Sequence, residues 1–375
     1  KRTSPLGPGR SLVRRRWDSL LSVPPSERRD LMRETPDRNT TAVVKSLHNG
    51  ASLKPLSSLR QGSEPDGLER YAYRSFDRQW ILSDNRLSDR PRPPLWDVRG
   101  PDQIYVTTLT STKLGAGPAV TATTYVPDLD HFRGSYGAKN VMPLYRDRGA
   151  KNPNVTNGLL EVIAEALGAE VEPGHLLAYV YGLTGTAAFT DRFTDELGEA
   201  AGPVRIPITA DAELFDEVVA VGEELLWLHT WGERFADGQD LPSPTAKEIT
   251  PVSGAYPEKF KWDAGSQTLT VGSGSFGPVD REVWEFEVSG LKVLQSWLGY
   301  RMKAGKGKKS SPLDDIRPER WTFTPELLTL LAILEQTVAL TPSAAELLDR
   351  VVAGDLIDPA TLPIPSDAER KAPKA

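Results

Sequence analysis

The chain has 375 residues, of which 39% are apolar, so it is long enough for about two or three domains with a sizeable hydrophobic core. It contains no cysteine, which excludes disulfides and thiolate zinc sites, and its four histidines show no metal-ligand spacing. It has no run of about 18 apolar residues and no signal peptide, which argues against a membrane span and predicts a soluble, cytoplasmic protein. Because the sequence begins with Lys1 rather than Met, we expect a piece of a longer polypeptide.

The net charge of −6 conceals an asymmetry along the chain. Residues 1–152 contain 26 Lys+Arg against 16 Asp+Glu, a balance of +10, whereas residues 153–375 contain 19 against 35, a balance of −16. Because phosphate contacts are short-range at physiological ionic strength, the local sign of charge matters more for nucleic-acid binding than the total. The first part is therefore the candidate for contact with a polyanion, and the acidic second part could dock a basic partner.

The first 70 residues are predicted to form a helical connector that ends in a linker. Residues 1–10 are rich in Gly, Pro and basic side chains, which is typical of a disordered lead-in. Apolar spacing predicts a helix around residues 12–21 and a second one that follows Pro24-Pro25. The arginines at 14–16 lie either on a solvated helix face or on an arm that contacts phosphates. Residues 50–70, rich in Gly, Ser and Pro, are the best linker candidate.

The stretch 71–96 interleaves aromatic residues with arginines. Its rings and guanidiniums belong to Tyr71, Tyr73, Phe76, Trp80, Trp96, Arg74, Arg78, Arg86, Arg90 and Arg92. Such a stretch can anchor its rings in a core and present its guanidiniums outward, which favours contact with phosphates and base edges. A guanidinium forms bidentate bonds with phosphate or with guanine O6 and N7. The composition is equally compatible with arginines that lie over a folded surface and pair with Asp77, Asp84 and Asp89.

A predicted hairpin follows, and a polar loop comes after it. Two β-branched runs at 104–111 and 119–126 flank the turn residues 115–118. The loop 130–140 then combines amide, basic, hydroxyl and aromatic side chains with two glycines. Asn suits adenine N6 and N7, Arg and Lys suit guanine, and glycines allow backbone amides to approach a phosphate. This loop is the best candidate for contact with base edges.

The rest of the chain predicts helices interrupted by one antiparallel unit. Helices are predicted over 157–167, 175–182, 211–234, 291–300, 325–340 and 343–354, and a short strand or extended run over 202–209. Strands are predicted at 260–262, 268–271 and 283–288. The loop 301–311 is strongly basic, either as a solvated loop or as a clamp on phosphates. The Pro/Ala/charged tail 359–375 is predicted to be disordered.

The remaining motifs favour structure over catalysis. The residues 272–277 match G-x-G-x-x-G, but a strand is predicted after them where a nucleotide site needs a helix, so a hairpin turn is favoured. No P-loop or adenine-methyltransferase Asn-Pro-Pro-Tyr motif occurs. His131 beside Asp130 could act as a general base, although a polar loop histidine is favoured. His229 is predicted to be a core histidine.

The run Tyr73-Arg74-Ser75-Phe76-Asp77-Arg78-Gln79-Trp80, followed by Arg90-Pro91-Arg92-Pro93, resembles the opening of a known domain family. It is similar to the C-terminal specificity domain of Type ISP restriction-modification enzymes. Further similar phrases occur in order at 175–181, 204–209, 225–234 and 283–301. These bacterial enzymes resemble a nuclease, a translocase, an adenine methyltransferase and a specificity domain fused in one chain.

The prediction is therefore an α+β fold, a mixed target-recognition domain with antiparallel strands that is flanked by helical segments. Its expected parts are a connector and linker (1–70), a DNA target-recognition domain (71–295), a helical subdomain (296–358) and a disordered tail (359–375). The resemblance implies sequence-specific recognition of duplex DNA for phage defence. The alternatives are a protein-interaction module with an acidic C-terminal half and a small-substrate enzyme that uses His131 and Asp130.

No catalytic residue and no metal ligand is predicted in this chain. The resemblance implies S-adenosylmethionine, ATP and Mg2+ as cofactors of the full-length enzyme, bound elsewhere, and the methyltransferase domain of the same polypeptide as a partner besides double-stranded DNA. The predicted DNA-binding residues are Arg74, Arg78, Arg86, Arg90, Arg92, Lys113, His131, Arg133, Ser135, Tyr136, Lys139, Asn140, Arg146, Arg148, Lys306 and Lys308.

Overall fold

The computed structural model describes residues 5–36, 38–135, 141–199, 202–306, 309 and 311–373. The helices in these residues are α1 (Arg10–Ser22), α2 (Arg28–Met32), α3 (Pro93–Asp97), α4 (Leu159–Leu167), α5 (Pro173–Thr184), α6 (Ala188–Arg192), α7 (Thr194–Glu199), α8 (Ala212–His229), α9 (Arg281–Glu285), α10 (Val293–Arg301) and α11 (Thr324–Ala353). The strands are β1 (Leu6–Gly7), β2 (Val44–Lys45), β3 (Ser52–Leu53), β4 (Leu68–Arg74), β5 (Asp77–Leu82), β6 (Tyr105–Thr107), β7 (Thr121–Thr123), β8 (Val141–Pro143), β9 (Lys247–Thr250), β10 (Phe260–Asp263), β11 (Thr268–Val271), β12 (Gly274–Gly277), β13 (Glu287–Val288) and β14 (Leu291–Lys292).

These strands form several small sheets in which neighbouring strands are antiparallel. The strand orders are β1-β5-β4, β7-β6-β8 and β10-β11-β12-β9, with the two-stranded pairs β2-β3 and β13-β14. Along the sequence, helices are interspersed with these antiparallel strands, so the predicted α+β class is confirmed. The predicted hairpin is also confirmed as β6 and β7, which pair directly.

The N-terminal segment packs on the arginine-rich hairpin β4–β5. β1 pairs with β5, so that Leu6 lies opposite Ile81. The buried face of α1 shares a hydrophobic cluster with Leu56, Leu82 and Leu313. The boundary predicted at residue 70 therefore falls inside β4, and the predicted linker contributes the fully buried Leu56. Composition alone cannot locate such a boundary, because strand pairing joins the segments on either side of it.

The first half of α11 belongs to the largest hydrophobic cluster of the described residues, which also contains residues of α8, α10 and β11, and its second half belongs to another cluster. The boundary predicted at residue 295 falls inside α10, and the two helices predicted after 325 are one helix, α11, with Pro342 inside it. α11 is long and apolar enough to cross a membrane. Its residues Leu330, Leu334 and Leu348 are buried within the fold, so we assign it as a core helix.

The segment 272–288 differs from the sequence expectation. The third strand of the sheet is β12, which lies within the glycine-rich run, and the predicted strand at 283–288 is α9 followed by the two residues of β13. Burial of Phe276 favours β12. Glycine at position 274 lets the strand lie close to Val252, because a Cβ there would lie only 2.4 Å from Val252 Cγ2. The predicted hairpin turn is thus limited to the residues between β11 and β12.

Close contact between α5 and α8 depends on two glycines. A Cβ built on Gly222 would lie 1.8 Å from the Ala178 carbonyl oxygen and 2.9 Å from Gly182 N. Another difference from the sequence expectation is that α8 ends at His229, five residues early, because Trp231 and Gly232 have left-handed φ values of 61° and 76°.

Gly222→Ala is expected to destabilise the fold by about 1–3 kcal/mol or more, because the helices must separate to accept the methyl group. Thermal unfolding followed by circular dichroism would measure this. Gly174→Ala in α5 is the matched control, since nothing lies within 4 Å of its Cβ position. Equal melting temperatures of the two variants would contradict the packing argument.

Candidate nucleic-acid interface

The arginines of the stretch 71–96 lie mostly in the interior. Arg74 is 4% exposed, and it donates to Asp128 at 2.6 Å and to the Tyr73 carbonyl at 2.5 Å while stacking on the Tyr73 ring at 3.9 Å. Arg86 is 5% exposed and forms a two-point bond with Asp84 at 2.8 and 2.5 Å. These two side chains are structural, which corrects their prediction as DNA ligands. The alternative of pairing with aspartates holds for Arg86.

Arg78 is also occupied within the fold. It bonds Glu233 at 3.0 Å, and its Cζ lies 4.0 Å from the centre of the Trp231 ring. Burial lowers its pKa, and the charges of Glu326 and Glu233 oppose that shift. The guanidinium therefore joins β5 to the segment that follows α8 and is not presented to a ligand.

Arg92, Arg146 and Arg148 bind backbone carbonyls, whereas Arg90 is exposed. Arg92 donates to the Pro127 carbonyl at 2.6 Å, and burial lowers its pKa. Arg148, although exposed, donates to the His48 carbonyl at 3.4 Å. Arg90 has a left-handed φ of 58°. Of these four, only the exposed Arg90 and Arg148 remain candidates for contact with DNA.

Arg146 holds the C-terminal tail, which the sequence predicted to be disordered. It donates to Asn154 at 2.9 Å, to the Glu369 carbonyl at 2.9 Å and to the Lys371 carbonyl at 2.7 Å. The Glu369 carboxylate accepts from Asn157 N at 2.8 Å, and such bonds lower its pKa to about 2. The tail lies against the fold because Arg146 binds two of its carbonyls and its own Glu369 carboxylate binds Asn157 N, contacts that composition does not show.

His131 is 1% exposed and faces the interior rather than a ligand. Its Nδ1 lies 2.9 Å from Thr107 Oγ1, and burial lowers its pKa to about 3. The cavity beside it has a volume of about 10 Å³, which is too small for a substrate. This corrects its prediction as a DNA ligand and removes the basis for a small-substrate enzyme at His131 and Asp130.

The remaining described candidates, Lys113, Arg133, Ser135 and Lys306, lie on exposed loops. Arg133 is half-buried, and its Nε donates to the Ser135 carbonyl at 3.0 Å. The other predicted members of the polar loop and of the basic loop, Tyr136, Lys139, Asn140 and Lys308, lie outside the described residues.

Contacts with the β13–β14 hairpin and α10 bring these loops together. Gly115 N donates to Ser289 Oγ at 2.9 Å, and a Cβ built on Gly134 would lie 3.5 Å from both Leu291 Cδ1 and Arg74 Nε. Lys306 Nζ lies 5.7 Å from the Tyr300 ring, which also packs on Tyr73. We call the surface formed by residues 111–117, 133–135, 289–292 and 302–306 the loop face.

A buried arginine under the loop face affects the electrostatics of this surface. Burial, and after it the positive charge of Arg74, lower the pKa of Lys306. Arg74 thus acts on this face indirectly, since it packs under Gly134 and Tyr300. Sequence reasoning missed Lys292, which lies in β14 with a side chain 43% exposed and pairs with Glu287 at 2.5 Å. It was missed because the turn at 289–290 was not predicted.

The described residues contain no group of three or more histidine or carboxylate side chains that could hold a metal ion. A family model described as the Type ISP C-terminal specificity domain matches residues 1–331. The chain belongs to this family. The resemblance found in the sequence is therefore confirmed. No curated protein matches this chain.

Solved structures also resemble the specificity domain. The DrdV–DNA complex, determined by cryo-electron microscopy, has a TM-score of 0.58 at 15% identity over 97% of this chain and 35% of that one. A nuclease-deletion mutant of the Type ISP restriction-modification enzyme LlaGI with a DNA substrate mimic has a TM-score of 0.52 at 15% identity, over 80% of this chain and 26% of that one. The ATP-dependent Type ISP enzyme LlaBIII bound to DNA gives the same score and identity over 80% of this chain and 20% of that one. The specificity domain thus spans about a third or less of these chains, and the likeness shows the fold.

Proposed function

We propose that this specificity domain recognises a particular sequence of duplex DNA through its loop face. The observation that carries the proposal is the convergence of separate exposed loops, each with a basic side chain, on one hairpin and one helix. Membership of the specificity-domain family supports it, and the similar solved structures are DNA complexes.

The loop face would divide the contacts by side-chain chemistry. The terminal nitrogens of Arg133 can form a bidentate bond with guanine O6 and N7, while its Nε is held by the Ser135 carbonyl. Lys113 and Lys306 carry compact charges that suit phosphates and give affinity without sequence choice. Arg90, Arg148 and Ser135 are further exposed candidates, and the buried Arg74 supports the face from within.

The target contact would direct adenine methylation and cleavage by other parts of a longer polypeptide. The partner within that polypeptide would be its methyltransferase domain, and S-adenosylmethionine, ATP and Mg2+ would be bound outside this chain. We expect this enzyme to act in the cytoplasm, where it would meet invading phage DNA.

Selection from a random duplex pool tests the proposal. We expect one motif to be enriched by the 375-residue chain and to persist at a higher salt concentration, because base contacts depend less on salt than phosphate contacts. Arg133→Ala should weaken binding to the enriched duplex by about 1–3 kcal/mol and relax the choice at one position. Lys306→Ala should weaken binding to all duplexes alike and reduce the slope of the logarithm of the binding constant against the logarithm of the salt concentration by about 1.

Arg205→Ala is the control, since Arg205 is exposed in the extended segment 202–208, which precedes α8. It should bind the enriched duplex as the unmodified chain does. Salt-sensitive binding without enrichment would contradict recognition by this domain alone. The absence of binding at either salt concentration would favour a protein-interaction module instead.

A further inference from the structure

A chain of buried polar side chains lies directly under the start of the loop that carries Arg133. Ser75 Oγ donates to the Phe132 carbonyl at 2.8 Å and lies 3.0 Å from Thr121 Oγ1. Thr121 Oγ1 lies 3.0 Å from Thr107 Oγ1, which lies 2.9 Å from His131 Nδ1. All four side chains are buried. We call Ser75, Thr107, Thr121 and His131 the hydroxyl chain.

The hydrogen bonds of the hydroxyl chain can be donated in one direction only. Ser75 has a single hydroxyl proton, which it gives to the Phe132 carbonyl, so Thr121 must donate to Ser75. Thr107 must then donate to Thr121, and His131 must donate from Nδ1 to Thr107. The chain therefore begins at His131 and ends at the carbonyl of the next residue, Phe132.

This arrangement fixes the loop to three separate elements. Thr107 and Thr121 face each other across β6 and β7, and Ser75 lies in the turn between β4 and β5. Ser75 N also donates to the His131 carbonyl at 2.9 Å. Beyond it, Gly134 N donates to the Asp130 carbonyl at 2.8 Å, and its left-handed φ of 81° turns the loop back over Arg74.

We propose that the hydroxyl chain sets the direction in which Arg133 leaves the fold, and that its members are positioning residues for recognition of the target. The inference rests on the proposed function of the loop face. Buried hydrogen bonds fix one geometry because any other leaves a donor or an acceptor unsatisfied. A loop fixed in this way selects between base sequences, whereas a loose loop binds phosphates equally well.

Thr121→Val tests the inference, because valine has nearly the same shape and removes the hydroxyl that bonds both Ser75 and Thr107. We expect the preference for the selected duplex over a scrambled one to fall about tenfold, the equivalent of about one hydrogen bond. Binding to the scrambled duplex and its salt dependence should not change. Ser75→Ala, which removes the link to Phe132, should have the same effect and covers the case in which the valine variant does not fold.

Thr337→Val is the matched control. Thr337 is fully buried and bonds His229 Nε2 at 2.9 Å, far along the chain from the loop. It should lower the melting temperature to a similar extent and leave the sequence preference intact. Equal loss of preference in Thr121→Val and Thr337→Val, or no loss in either Thr121→Val or Ser75→Ala, would overturn the inference. A lack of preference in the unmodified chain would instead refute the proposed function and the inference with it.

The protonation state of His131 gives an independent measurement. Nitrogen chemical shifts of the imidazole should show the proton on Nδ1 near neutral pH in the unmodified chain, and a changed shift in Thr107→Val. A proton found on Nε2 would contradict the direction of the hydroxyl chain.

Discussion

Arg301→Met is expected to lower the free energy of unfolding by about 3–5 kcal/mol, the largest stability effect of any single change considered for this chain. Arg301 is fully buried, donates to Asp77 at 3.0 Å and to the Trp297 carbonyl at 3.1 Å, and its Nη2 lies 3.5 Å from Glu326. Methionine fills a similar volume but leaves the Asp77 carboxylate buried without its cation. An uncompensated buried charge is costly because no water replaces the lost partner.

Urea unfolding of matched variants measures this effect. Arg350→Met is the control, since Arg350 pairs with Glu217 on the surface, where both side chains are 40% or more exposed. Its loss should change the free energy of unfolding very little, because ion pairs between exposed side chains are screened by solvent. The double change Arg301→Met with Asp77→Asn should be more stable than Arg301→Met alone, because the charge left behind is then removed. A cost for Arg301→Met as small as that of Arg350→Met would refute the argument.

The same ion pair explains why the arginine-rich hairpin could be located from sequence but its role could not. Asp77 lies in β5, and its partner Arg301 follows 224 residues later, at the end of α10. A local sequence pattern cannot reveal a contact between two residues that lie so far apart in the chain. A hairpin that ion pairs hold to the core and a hairpin that presents its guanidiniums to DNA can therefore have the same spacing of aromatic residues and arginines.

Elements defined by local periodicity were predicted well. The β6–β7 hairpin and the helices α4, α5 and α10 all lie where alternation or helical spacing placed them. The errors lie where tertiary contacts override local preference. α9 forms where β-branched and aromatic residues favoured a strand, and the chain continues as helix through Pro342 because Leu334 and Leu348 are buried on either side of it.

The residues of the candidate site also fall into those that the local sequence predicts and those that depend on distant contacts. The loop sequence placed Arg133 and Lys306 on surface loops, since loops rich in glycine and charge lie at the surface, although Arg133 itself is half-buried. Burial of His131, and the use of Arg146 by the tail, depend on residues distant in sequence. The prediction of the loop face as a surface therefore required the fold, because its loops meet only through β13–β14 and α10.

Lowering the pH from 7.5 to 5 is expected to cost about 4 kcal/mol of folding stability through two buried histidines. His131 and His229 each have a pKa lowered by burial from 6.5 to about 3. His229 lies between the Tyr181 hydroxyl at 2.6 Å and Thr337 Oγ1 at 2.9 Å, so its neutral ring satisfies both bonds. Because the folded-state pKa is below the unfolded value, the unfolded chain binds more protons between pH 6.5 and 3. Stability is therefore highest above pH 6.5 and falls as the pH decreases through that window, by about 2 kcal/mol for each histidine at pH 5.

His229→Gln should remove about half of this pH dependence, because glutamine carries no charge at either pH. Urea unfolding at pH 7.5 and pH 5 should give a difference of about 4 kcal/mol for the unmodified chain and about 2 kcal/mol for the variant. His131→Gln should behave in the same way, and the double variant should show almost no difference. A single variant that keeps the full pH dependence would mean that the replaced histidine is protonated without unfolding, which its burial and its neutral hydrogen-bond partners do not allow.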